Sequence, residues 1–573
     1  MADPEDARGI ARGLTNYGDP DFAVYLRRSF ARSMGYSRQM LDRPVVGIAY
    51  TPSGFNNCHR HFPELLEAVK RGVIAAGALP LEFPTVSLGE VFLNPTSLKF
   101  RNLMSMDTEE MIRAQPMDSV VLMGGCDKTV PAQLMGAASA GRPAIQLVAG
   151  PMMTGRHDGE RLGACTDCRR FWARYRAGEI DDQEIDTVEG RLAVTAGTCA
   201  VMGTASTMAC IAEALGMMLP GTATIPAVHA DRLRAAEATG AAAAGLVGSG
   251  LTPERIVTEQ SVENALRVLL ALGGSTNAVI HLTAIAGRLG IPVSLERLNT
   301  LSDNTPVLLN LKPVGDNYME DFFAAGGLGA VLRELKPLLH LDCLTVTGET
   351  LGERIEAAEP YVDHSIIAPA AEPVEEQGGL VALFGSLAPR GAILKRSAAD
   401  PRLFEREARA VVFASLDDLA ARIDDPDLDV GPDDALILQN AGPHSEAAMP
   451  EAGYIPIPRK LASTGVKDMI RISDARMSGT AYGTIALHVT PDAAGGGPLG
   501  LARTGDRIRL SVSERRLDLL VDEAEISHRR REAEAIEAPR PAERGYAALY
   551  EREILDADGG CDFAFLRPKV GAD

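Results

Sequence analysis

Between about residues 44 and 340, short apolar runs alternate with amphipathic stretches. The runs at 44–50 (PVVGIAY), 119–123 (SVVLM) and 144–148 (AIQLV) show little polar alternation, the pattern of strands buried on both faces. Helical patterns follow at 64–76 and 131–140. Two more, at 204–218 and 275–289, are rich in Ala, Leu and Met, with Gly216 and Gly290 near their ends. Strand–helix alternation of this kind predicts a layered α/β domain built on a mostly parallel sheet.

Beyond about residue 360 the pattern changes. Apolar runs at 380–384, 392–395, 408–413, 435–439, 469–473 and 484–489 are separated by Gly, Pro and Asp. Runs at 507–512 and 517–521 flank a Ser-Glu-Arg-Arg turn and predict a hairpin. A second, β-rich domain follows, barrel or sandwich. A chain of 573 residues exceeds what one core ordinarily supports, so we divide it at 1–370 and 371–573. The charged stretch 523–544 reads as a solvated helix or linker.

Charge and cysteine content then narrow the function. A formal net charge of -20 repels polyphosphate and anionic lipid, which argues against nucleic acid or a membrane as partner. A small anionic substrate stays open, because a few local cations or a metal reverse the sign inside a cleft. The N-terminal stretch has no basic segment followed by an apolar run, and no long apolar span follows, so a cytoplasmic location is expected. Eight cysteines in so long a chain do not make a disulfide framework.

Three of those cysteines share a context. Cys58, Cys126 and Cys199 each lie in a loop just before a predicted helix, the first two after a predicted strand. Strand carboxyl ends and helix N-termini face the ligand crevice of an α/β sheet, and helix N-termini favour thiolates. Convergence on one cofactor is plausible, although the long spacing matches no compact metal motif. Cys165 and Cys168 form a C-x-x-C with no second pair nearby, and loop structure is the expected reading.

Oxygen ligands and a hydroxyl complete the candidates. Asp127 and Lys128 follow Cys126 directly, Glu90 lies on a loop after an extended run, and Glu451 belongs to the second domain. Carboxylates beside thiolates suggest a hard cation such as Mg²⁺ as well as a sulfur-bound metal. Singly, each is more often a solvated surface group. Ser478, in Ser-Asp-Ala-Arg-Met-Ser-Gly-Thr, is either a nucleophile or base or a turn serine capping a helix. No G-x-S-x-G surrounds it, which weakens a serine-hydrolase reading.

The segments NNCHRHFPELLEAVKRGVIAAGALPLEFPTVSLGE, GGCDKTVPAQLMGAASAGRPAIQLVAGPM, TAGTCAVMGTASTMACIAEALGMMLPG, LALGGSTNAVIHL, GSLAPRGAILK and ISDARMSGTAYGT recur in order along nearly the whole chain. Together they resemble the dihydroxy-acid dehydratase / phosphogluconate dehydratase family. LHVTPDAAGGGPLGL and RGYAALYEREILDADGGCDFAFL are most similar to its sugar-acid branch, the L-arabinonate and D-xylonate dehydratases. The resemblance implies an N-terminal layered parallel-sheet α/β domain, a C-terminal β-barrel-like domain and an active site between them. It implies that Cys58, Cys126 and Cys199 ligate a 2Fe–2S cluster, rather than 4Fe–4S, with one iron position open. It further implies Mg²⁺ on Glu90, Asp127 and Glu451, joined by Lys128 as a carbamate. The loop before Glu451 is glycine-rich in the family; here His444 and Glu446 depart from that pattern.

The activity so implied removes water from an aldonate to give a 2-keto-3-deoxy acid, with Ser478 as base and Thr480 binding substrate. A homodimer or homotetramer is expected. The rival within the family is a dihydroxy-acid dehydratase of branched-chain amino-acid biosynthesis. Outside it stand a non-catalytic redox or regulatory iron–sulfur protein and a hydrolase using Ser478.

Overall fold

The computed structural model describes residues 8–14, 16–535 and 541–568. Strands β1 (Val45–Tyr50), β2 (Leu79–Pro84), β3 (Ser119–Gly124) and β4 (Ala144–Val148) form a sheet in the order β2-β1-β3-β4, with every neighbouring pair parallel. Every residue of β3 and β4 is buried, which is why their sequences read as continuous apolar runs. β2 escapes that pattern because Pro80, Glu82 and Pro84 interrupt it; it is one of the two edge strands, where proline is tolerated.

Helices cover the sheet. Phe62–Ala75 crosses Ala230–Gly245 at Gly72 and Gly240. A Cβ on Gly72 would lie 1.9 Å from the Glu237 carbonyl oxygen, and one on Gly240 2.2 Å from that of Val69. Only glycine lets these backbones approach so closely. The helix predicted over 204–218 stops at Ala214, because Gly216 takes φ +85° and ends it. A short hairpin of β5 (Gly155–His157) and β6 (Glu160–Leu162) precedes helix Thr166–Ala177.

The second sheet contains β7 (Val381–Leu383), β8 (Gly391–Leu394), β9 (Glu405–Phe413), β10 (Ala435–Leu438), β11 (Ile470–Ser473), β12 (Ile485–Thr490), β13 (Arg507–Ser511) and β14 (Arg516–Leu519). Their order is β14-β13-β9-β10-β11-β12-β8-β7. The central strands β9 to β12 are parallel, whereas the outer pairings are antiparallel. Beyond β7, the Phe384 N–H donates to the Arg515 carbonyl at 2.8 Å and the Leu517 N–H donates to the Phe384 carbonyl at 2.9 Å. The two edges therefore meet, and the sheet is a nearly closed barrel. Val381, Leu394, Val412, Ile437, Ile472 and Leu510 pack together in one of its cores.

The predicted 507–521 hairpin is β13–β14. Of the charged stretch after it, Glu523–Glu534 is a largely exposed helix, and residues 536–540 lie outside the described part. The chain then returns to the first domain. Tyr550, Ile554, Cys561 and Phe563 pack with Leu98, Ile280 and Met449, and Arg288 pairs with Asp562 at 2.6 Å. Among the described residues, no helix is long and apolar enough to cross a membrane.

Candidate active site

The sheet order 2-1-3-4 places a topological switch point between β1 and β3, where the crevice at the strand carboxyl ends lies. Cys58 follows β1 and Cys126 follows β3. Cys58 sits in the single 3₁₀ turn Asn57–His59, just before helix Phe62–Ala75; Cys126 lies three residues before helix Thr129–Ala140. His59 joins the two. Its imidazole is buried, stacked on Phe62 with ring centroids 4.2 Å apart, with Nδ1 2.8 Å from the Thr51 carbonyl. Its Nε2 accepts the Cys126 N–H at 3.1 Å. Burial lowers its pKa to about 4, so the ring is neutral near pH 7. Sequence reading passed over His59, although it adjoins Cys58.

Cys199 enters from the other side, in the loop before helix Thr204–Ala214. That loop is held by the Thr198 N–H donating to the Gly150 carbonyl and the Ala200 N–H donating to the Ala164 carbonyl. Cys58 lies beside Cys126 and near Cys199. The structure therefore brings the three predicted thiols together. The C-x-x-C lies beside them: Cys165 precedes helix Thr166–Ala177 and Cys168 is inside it, not in a loop, and Cys165 Sγ lies 3.7 Å from Cys199 Sγ. A place before a helix does not lower Cys126 or Cys199. The Cys58 thiol and burial push Cys126 up, and the Cys165 thiol and burial push Cys199 up. Crowded buried thiols resist a second negative charge until a cation is present.

An oxygen site adjoins the sulfur site through the Cys126–Asp127 peptide. Carboxylate oxygens of Glu90, Asp127 and Glu451 lie within 4.8 Å of one another. Glu90 opens the 3₁₀ turn Glu90–Phe92 after β2, and Glu451 opens another after β10. Lys128, fully buried, places Nζ 2.5 Å from Asp127 Oδ2 and 3.3 Å from Glu90 Oε2. A residue missed in the sequence, Arg476, binds Glu451 at 2.6 Å and Glu90 at 2.7 Å. Burial and the Glu90 charge raise Asp127 to about 7. Burial opposes ionisation of Glu90 too, but Arg476 and Lys128 outweigh it and hold that carboxyl well below its usual range.

Ser478 lies on the loop after β11, and its Oγ shares a 2.8 Å hydrogen bond with Thr480 Oγ1. No helix follows, so this serine is not a cap. The loop presses against the first domain. Thr166 Oγ1 donates to the Thr480 carbonyl at 3.0 Å, and buried Lys395 donates to the Gly479 carbonyl at 3.2 Å. A Cβ on Gly479 would fall 2.6 Å from Ser275 Cβ and 2.8 Å from the Thr204 nitrogen. Ser478 is thereby seated at the helix that follows Cys199. Lys395, lowered to about 7 by burial, was also missed. A cleft of about 860 Å³ opens alongside, lined by Cys165, Cys168, Arg169, Tyr454, Lys467 and Tyr482.

His444 and Glu446 take other roles. Glu446 is exposed, and His444 faces Asp492 at 3.3 Å and Asp556 at 3.4 Å. Those carboxylates raise the imidazole to about 10, so it is a cation tying this loop to the C-terminal segment. His444, Asp492 and Asp556 could geometrically hold a metal, but the protonated ring and Arg390, 2.7 Å from Asp556, already supply the positive charge.

A nearly closed barrel set against a parallel α/β domain, with thiols and carboxylates at the sheet crevice and a serine from the barrel, has the layout of an enzyme active site with candidate metal donors. Residues 43–354 match the dihydroxy-acid/6-phosphogluconate dehydratase N-terminal domain, and 365–561 match its C-terminal domain. The chain belongs to that family, and it is a dehydratase, a hydro-lyase. It is 46% identical to an L-arabonate dehydratase of Azospirillum brasilense, covering 97% of both chains. It is 45% identical to an L-arabinonate dehydratase of Rhizobium leguminosarum bv. trifolii, over 96% of this chain and 95% of the relative. A 6-deoxy-6-sulfo-D-gluconate dehydratase of Pseudomonas putida is 44% identical over 95% and 94%. Dihydroxy-acid dehydratases match at 36–38%.

Proposed function

We propose that this dehydratase acts on a sugar acid, an aldonate such as L-arabinonate or D-xylonate, and yields its 2-keto-3-deoxy acid. The reading is carried by the joined sulfur and oxygen sites with Ser478 beside them. It is supported by the higher identity to sugar-acid dehydratases than to dihydroxy-acid dehydratases.

The residues present fit the two groups the family implies. Cys58, Cys126 and Cys199 offer soft sulfur suited to a 2Fe–2S cluster, and Glu90, Asp127 and Glu451 offer hard oxygen suited to Mg²⁺. Lys128 is enclosed by two of those carboxylates, and as a carbamate it would become a fourth oxygen donor instead of a competing cation. When bound, the cluster and Mg²⁺ supply Lewis acidity and offset negative charge. Ser478 Oγ, as an alkoxide favoured by nearby cations, takes the C2 proton. Thr480 orients that oxygen through their shared hydrogen bond. The C2–H and C3–O bonds break, C2=C3 forms, water leaves, and the enol tautomerises to the keto acid. A serine-hydrolase mechanism lacks support, because among the described residues no histidine or carboxylate is hydrogen-bonded to Ser478.

The test is a keto-acid assay of anaerobically purified, coloured enzyme against pentonates, hexonates and 2,3-dihydroxyisovalerate. Preference for the branched acid would replace the sugar-acid reading with the biosynthetic one. Ser478→Ala should keep the visible absorption and lose turnover, and a variant of near wild-type rate would remove Ser478 as base. The proposal places the enzyme in a reducing cytoplasm, in keeping with eight free cysteines. It also includes a homodimer or homotetramer, supported by exposed Tyr25 and Phe30 on helix Pro20–Ser33 and measurable by light scattering.

A further inference from the structure

We propose that Cys165 is a fourth sulfur donor to the cluster in the substrate-free enzyme, beyond the three thiols the family resemblance implies. This rests on the cluster reading above.

The first observation is a distance. Cys165 Sγ and Cys199 Sγ are 3.7 Å apart. Two thiolates on one tetrahedral ion, with metal–sulfur bonds of about 2.3 Å, stand about 3.8 Å apart. Cys199 in turn adjoins Cys58, and Cys58 adjoins Cys126, so Cys165 adds one member, at ligand spacing, to the thiols that the resemblance assigns to the cluster.

The second observation is rigidity. The Ala200 N–H donates to the Ala164 carbonyl at 3.0 Å, which locks the residue after Cys199 to the residue before Cys165. Two positions beyond Cys165, fully buried Asp167 is held by Lys312 at 3.0 Å and by the Tyr318 hydroxyl at 2.9 Å, and accepts the Gly163 N–H at 2.8 Å. A thiol held only by packing would not need its turn fixed so heavily on both sides.

The third is location. Thr166, next to Cys165, donates to the Thr480 carbonyl on the loop that carries Ser478. Cys165 and Cys168 also line the 860 Å³ cleft. Cys165 thus stands between the cleft and the sulfur site. Cys168, one helical turn on, backs it from the cleft side.

The experiment uses anaerobically purified holoenzyme without substrate. Cys165→Ala and Cys165→Ser should shift the visible circular dichroism and the electron paramagnetic resonance of the reduced cluster. They should bleach several-fold faster in air and under an iron chelator. Cys168→Ala should leave the spectra in place. Superimposable spectra and equal bleaching for the Cys165 variants would reduce that residue to a van der Waals neighbour and overturn the proposal. So would a spectral shift in Cys168→Ala alone.

A second measurement needs no variant. Iodoacetamide labelling of wild-type holoenzyme, mapped by peptide mass spectrometry, should spare Cys165 together with Cys58, Cys126 and Cys199 while Cys168 reacts. Labelling of Cys165 as fast as Cys168 overturns the assignment. Wild-type protein without iron and sulfide would instead defeat the cluster reading itself, a separate outcome.

Discussion

His59 Nε2 accepts the backbone N–H of Cys126 at 3.1 Å, so one neutral imidazole joins the turn carrying Cys58 to the turn carrying Cys126. Gly125 makes this possible: a Cβ there would sit 2.8 Å from His59 Cδ2. His59→Ala leaves the buried Cys126 N–H and Thr51 carbonyl without this partner and opens a cavity beside Phe62. The Thr51 carbonyl keeps the Ser87 hydroxyl at 2.7 Å, so the loss is about 1–3 kcal/mol for the unpaired Cys126 N–H, besides the cavity. Thermal unfolding should shift down and iron content should fall, whereas an unchanged iron-to-protein ratio would deny His59 a positioning role.

Gly479 offers a test of how the two domains meet. Its hydrogen faces Ser275 and the backbone at Thr204, so Gly479→Ala must push the serine loop away from the first domain. Overpacking of this kind costs about 1–3 kcal/mol. Turnover should drop much more than stability, because Ser478 is displaced while the barrel core is untouched. Equal kcat in the two proteins would show that the loop has room to adjust.

Glu451 and Glu90 are bridged by Arg476, and beside them burial and the Glu90 charge raise Asp127 to about 7. A divalent cation that binds the folded state alone raises the melting temperature with concentration. Mg²⁺ should therefore stabilise the wild type, and chelation should reverse the gain. Glu451→Gln should abolish the Mg²⁺ response in differential scanning fluorimetry. If the variant responds like wild type, Glu451 is not a ligand.

His444 gives a pH signature away from the metal sites. Its imidazole, raised to about 10 by hydrogen bonds to Asp492 and Asp556, keeps its proton in the folded state after the unfolded chain has lost it near 6.5. The stabilisation is complete below pH 6.5 and declines as pH rises through about 10. Melting curves of wild type and His444→Asn should differ most near pH 6 and converge toward pH 10. A constant gap across that range would exclude a charged His444.

Much of the fold was legible because its signals are local. β3 and β4 show as apolar runs since helices cover both their faces, and β13–β14 shows as two runs around a polar turn. Cys58, Cys126 and Cys199 stood out for the same reason: each sits in a loop before a helix, a context visible within a short window.

What the sequence by itself determined, then, was which segments bury apolar surface and which residue types lie at helix starts. The tertiary structure decided which of these meet. Arg476 reaches Glu90, 386 positions earlier, and Cys165 approaches Cys199, 34 positions later. The parallel pairing of β9 to β12, the near closure of β7 on β14 and the seating of Gly479, next to Ser478, against Thr204 are long-range as well. Side-chain type and periodicity act over a turn or a strand, whereas these contacts depend on the path of the whole chain, which no local pattern encodes.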